Sequence, residues 1–147
     1  MQVTVCAVVL MLAGAPAFAQ EQAAAGRIKI ASGTVLIVRA NATIPAKAGE
    51  LVYEADTLRT GNDGRVGVTL KDDTRLSLGP NSEVRLDRFA FAPAEGRLAF
   101  VLRVVKGVAG YVSGQIAKIA PDAVRLETPS AIVGVRGTTI AIRVPQQ

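Results

Sequence analysis

Asp72 and Asp73 are adjacent carboxylates, and a carboxylate pair can do general acid–base work when both groups reach one bond. Neighbours on a strand point to opposite faces, and Lys71-Asp72-Asp73-Thr74 reads as a turn between two alternating runs. Both are therefore expected to be solvated turn residues. Gly61-Asn62-Asp63-Gly64 lacks the further acidic ligands of a calcium loop. Gly134-Val135-Arg136-Gly137-Thr138 admits two readings. Its glycines can supply positive φ or close approach while Arg136 anchors a strand, or amides and guanidinium can face an anion. The first, a role in the fold, is preferred.

The inventory excludes most other chemistry. No His is present, so there is no Ser-His-Asp triad, Cys-His dyad or His-based zinc site. A single Cys forms no internal disulfide and no cysteine metal cluster. A hydrolase or lyase built from carboxylates and Lys/Arg alone is the remaining enzymatic reading. No catalytic, cofactor-binding or metal-ligating residue is assigned, and no cofactor is expected. Aromatics make up 4% of the chain, which argues against a stacking platform for nucleic acid. The formal charge of +5 suits a binder or regulator with an acidic partner.

The elements that position these residues begin after an N-terminal segment. Residues 1–19 carry no charged side chain, and Val3 to Gly14 is an apolar run. Ala17 and Ala19 give the small-x-small pattern of a signal-peptidase site, so residues 1–19 are expected to be a cleavable signal peptide. Cys6 and both Met residues leave with it. The product is expected to be periplasmic or secreted, with no membrane span. Residues 20–26 read as a flexible leader, 27–144 as an all-β domain and 145–147 as a tail.

Short Val, Ile, Leu and Thr runs punctuated by Gly, Asp, Asn and Pro carry the all-β expectation. Val35 to Val38 is apolar on both faces and reads as a central strand. Val66, Val68 and Leu70 alternate inward, as do Leu76 and Leu78, then Val84 and Leu86. The phase shift toward Phe89 and Phe91 predicts a bulge near Asp87-Arg88. Leu98, Phe100, Leu102 and Val104 form the longest alternation, interrupted at Lys106-Gly107. Ser113 to Asp122 reads as a loop, and no helix is expected. Asp56 to Gly61 and Asp73 to Gly79 echo each other, which fits stacked short strands in a β-roll, a β-helix-like coil or a sandwich, with antiparallel pairing and tight turns.

Three segments occur in a telling order. The first runs Gly33-Thr34-Val35, Ala48-Gly49-Glu50-Leu51 and Asp56-Thr57-Leu58-Arg59-Thr60-Gly61. The second is Val66 to Leu70 followed by Asp72 to Ser82. The third is Gly107-Val108-Ala109-Gly110 followed by Glu127-Thr128-Pro129-Ser130-Ala131-Ile132-Val133-Gly134-Val135-Arg136-Gly137-Thr138. Together, over about Ile28 to Arg143, they resemble the FecR protein domain, a bacterial envelope module. The resemblance implies an all-β periplasmic domain that works by protein–protein contact, in some members as the sensing part of a sigma-factor regulator. No anti-sigma segment or transporter-docking subdomain is expected here, so the chain reads as a stand-alone FecR-like domain. Thr128, Pro129, Gly134, Val135, Arg136, Gly137, Thr138, Asp72, Asp73, Asn81 and Ser82 are the family-motif residues, expected to serve the fold. Asp73 stands where the family usually has Gly, and Asp tolerates a left-handed backbone.

Arg65, Arg75, Arg85, Arg97, Arg103, Arg125 and Arg143 fall in or beside outward strand positions. They are expected either to form cross-strand ion pairs, as with Glu83 and Asp87, or to line up into a positive face. The expected partner is an envelope protein, with an anionic glycan or other anionic polymer as the alternative.

Overall fold

The computed structural model describes Gly14, residues 22–135 and residues 139–146. The expected signal peptide, apart from Gly14, lies outside the described residues. So do Arg136, Gly137 and Thr138.

Twelve strands among the described residues form one curled, mostly antiparallel sheet. They are β1 (Gly26–Ser32), β2 (Val35–Arg39), β3 (Ala42–Pro45), β4 (Leu51–Val52), β5 (Thr57–Thr60), β6 (Arg65–Leu70), β7 (Arg75–Leu78), β8 (Glu83–Ala92), β9 (Arg97–Val112), β10 (Val124–Glu127), β11 (Ile132–Gly134) and β12 (Thr139–Val144). The order is β3-β2-β5-β8-β9-β7-β6-β1-β4, with β10 and β12 also paired to β9 and β11 paired to β10. β9 joins the two halves. Its first part pairs with β8 and β10, and its last part, from Gly107 on, pairs with β7 and β12.

Period-two alternation places the core. Val66, Val68, Leu70, Leu76, Leu78, Val84 and Leu86 are all buried and meet Phe100, Leu102 and Val104 of β9 in a single cluster. The expected β8 bulge is present: the register with β9 shifts between Leu86 and Arg88. A second shift lies where Glu83 faces Lys106 and Val84 faces Val104. It coincides with Gly107 at φ 86° and reverses the phase of β9, so that Ala109 and Tyr111 point inward while Val108 and Val112 point out.

Four features differ from the sequence expectations. The leader is packed at its end: Ala25 is buried, its N–H donates to the Val52 carbonyl, and Lys71 N–H donates to the Ala25 carbonyl. β2 lies second from an edge, beneath the β3 hairpin, so Leu36 and Val38 are only half-buried. Residues 113–123 contain helix α1 (Gln115–Ile119) and a 3₁₀ turn. The helix exists because β10 adds to β9 in parallel, and a parallel neighbour requires a crossover. Its one buried side chain, Ile116, is too brief a signal for periodicity to show. Finally, the echoed segments do not stack: β5 and β7 lie in different halves, separated by β8 and β9.

Candidate interaction surface

The turn residues form the frame. Asp72 is fully buried, contrary to the solvated-turn expectation, because its carboxylate is enclosed by donors. Thr74 Oγ1 donates to Asp72 Oδ2 at 2.7 Å, Thr74 N–H to Oδ1 at 3.2 Å, and Ile116 N–H to Oδ2 at 3.2 Å. The β6–β7 turn thus caps α1 from 44 residues away. Asp73 is exposed at φ 67° and accepts from Gln115 Nε2. The two carboxylates do not converge on a shared site.

Asn81 also adopts positive φ, 53°. Ser82 is buried; its Oγ accepts from Val108 N–H at 2.8 Å, and its N–H donates to Thr60 Oγ1 at 2.9 Å. Thr128 closes the turn before β11: its Oγ1 accepts from Ala131 N–H at 3.1 Å, and its N–H donates to the Ala131 carbonyl. Pro129 sits exposed within that turn, and Val135 is buried. At Gly134 an added Cβ would meet no described atom within 4 Å and φ is not positive, so among the described residues neither close approach nor left-handed backbone explains that glycine.

Sequence reasoning missed an ion pair between the half-exposed Arg39 and the buried Asp56. Arg39 Nε and Nη2 donate to Asp56 Oδ1 and Oδ2 at 2.9 and 2.8 Å, and Tyr53 N–H donates to Oδ2. The guanidinium also lies 4.5 Å from the Tyr53 ring centroid. The hydrogen bonds to Asp56 raise the Arg39 pKa above its ordinary value, against the opposing effect of burial. Asp56 stood out only as part of a motif, and nothing local signalled a partner on β2.

The carboxylates borne on strands, Glu83, Asp87 and Glu127, all lie in one half of the sheet, although Arg88 and Arg125 there make no ion pair among the described residues. On the β8 side, Arg59 pairs with Glu83 at 2.7 Å, and Arg85, Asp87, Arg103 and Glu127 form a chain of pairs at 3.0 to 3.4 Å. Arg97 approaches Glu95 at 3.7 Å. The cross-strand pairing expected for Glu83 and Asp87 is therefore present there.

The other half carries the opposite pattern. β1, β4, β6, β7, β12 and the last part of β9 contain Arg27, Lys29, Arg65, Arg75 and Arg143 and no Asp or Glu. Asp63 and Asp73 stand in turns at the strand ends, where they accept from Thr34 N–H and Gln115 Nε2. The Thr34 N–H holds the Asp63 carboxyl below its usual range.

Register places these cations in rows. Arg27, Thr69, Arg75, Val112 and Thr139 face one another across the strands. Arg65 and Arg143 lie on a second row, which Val108 shares. Between the rows run Gly67, Ser77, Gly110 and Ala141. These small residues floor an outward trough of about 480 Å³ edged by Ile30 and Val108. Ile30 is 66% exposed because a β1 bulge between Ile28 and Ile30 turns it outward.

No described helix is long and apolar enough to cross a membrane. Among the described residues no group of His, Cys, Asp and Glu is arranged to hold a metal ion. No curated protein and no solved structure matches the chain. A family model described as FecR protein matches residues 56–147, more than half of the sequence, covering β5 to β12 and the Thr128-to-Thr138 motif. The chain belongs to the FecR protein family.

Proposed function

We propose that this chain is a non-catalytic periplasmic FecR-like interaction or sensor domain that binds another envelope protein. The observation that carries the reading is the cationic, partly apolar outer face of the β1–β6–β7–β9–β12 half. Family membership supports a signalling role, and the signal-like residues 1–19 support export. The structural network around Asp72 and Ser82 leaves the motif turns engaged within the fold. A pull-down of the tagged chain from envelope extracts should recover a specific protein at physiological salt; recovery of none would count against the reading.

The same cations, which make no ion pair among the described residues, favour one alternative, binding of an anionic envelope polymer. Sedimentation with peptidoglycan or lipopolysaccharide at low and raised salt separates the two. Screening abolishes a mainly electrostatic contact and spares an interface with an apolar centre.

A further inference from the structure

Two independent bulges send aliphatic side chains out of the core onto one face. Simple alternation from Ile28 would turn Ile30 inward, and the β1 irregularity reverses it. Alternation from Val104 would turn Val108 inward, and the shift at Gly107 reverses that too. Both side chains edge the same trough. Bulges re-aim side chains at a cost to the ladder, so their coincidence marks this face as more than a solvated surface.

The floor is also kept open without need of the fold. A Cβ at Gly67 would meet only Ile30 Cβ, at 3.9 Å, and Gly67 has no positive φ. By contrast, a Cβ at Gly107 or Gly114 would collide with Ser82 or with the Asp72 carbonyl. Gly67 thus weakens a strand that would accept a larger residue.

We propose that the trough docks a segment of a partner protein that is apolar at its centre and carries carboxylates on both flanks. The proposal rests on the interaction-domain reading and names its face and partner chemistry. Ile30 and Val108 supply the apolar contact, and Arg27, Arg75, Arg65 and Arg143 flank it on two sides. The rows are four residues apart along the strands, roughly 13 Å, which is wide enough for one polypeptide segment. Charge complementarity selects acidic flanks, since no acidic side chain on these strands neutralises the arginines. A glycan fits less well: no aromatic ring lies on the outward positions of these strands for sugar stacking.

Displayed random peptides selected against the purified chain test this. The enriched sequences should place aliphatic residues between Asp or Glu flanks. Affinity for a fluorescent copy should fall roughly tenfold or more in R65E/R75E. It should fall similarly in Gly67→Val, which fills the floor, and change less than about twofold in R97E/R125E on the other half. Enrichment without acidic flanks, equal loss in both double variants, or no enrichment overturns the proposal. So does dextran sulfate binding as tightly as the peptide through Arg65 and Arg75. If the captured envelope protein binds R65E/R75E unchanged, the docking face is wrong while the interaction-domain reading stands.

Discussion

Tyr111 shows how the buried residues of this domain couple. Its side chain lies in the core, 5.6 Å from Phe100 by ring centroids, and burial together with the nearby Asp72 carboxylate pushes its pKa up to about 12. The folded state therefore holds the phenolic proton more tightly than the unfolded chain, whose tyrosine titrates near 10. Stability from this group is fully present below pH 10 and is lost as pH rises from 10 to about 12, by up to about 2–3 kcal/mol. Tyr53→Phe leaves Tyr111 as the sole tyrosine. In that variant phenolate absorbance should appear only above pH 10, together with unfolding; titration near pH 10 in a folded chain would refute the assignment. Asp72 itself was legible as a turn residue, but its burial was not. Three donors enclose it, and one of them comes from a helix 44 residues away.

At the scale of elements, the bulges matter most. The β8 bulge was legible because the apolar phase visibly shifts from Leu86 to Phe89. The β1 bulge was not, since Ile28 and Ile30 keep the spacing of an ordinary inward pair. The Gly107 kink makes a direct prediction. Gly107 sits at φ 86°, and a Cβ there would strike Ser82, which also accepts from Val108 N–H. Gly107→Ala should cost roughly 2–3 kcal/mol, read from urea unfolding. Gly67→Val should leave stability unchanged or raise it by as much as about 1 kcal/mol, because its φ is ordinary and its side chain has room. A reversed order would mean that the two glycines had been assigned the wrong roles.

At the scale of the whole molecule, the folding unit is larger than the family match. The match begins at Asp56, yet β1 pairs with β6, β2 pairs with β5, and Ile28, Val35, Ile37 and Val52 are buried in the common core. A chain starting at Asp56 should therefore show no cooperative thermal unfolding by circular dichroism, whereas residues 22–147 should unfold in one transition. Cooperative folding of the shorter chain would place the domain boundary at Asp56.

The amino-acid sequence by itself determined the all-β class, most strand positions and the inward residues, because alternation and turn chemistry are local. Its family motif was also local, and it pointed to the family that the match shows. Only the tertiary structure decided which arginines find carboxylates and which do not. Arg85 and Arg103 share Asp87 while Arg65, Arg75 and Arg143 surround a trough, and that division depends on register across strands distant in sequence. Strand pairing sets which side chains become neighbours, and a one-residue bulge is enough to move an isoleucine from the core to the surface.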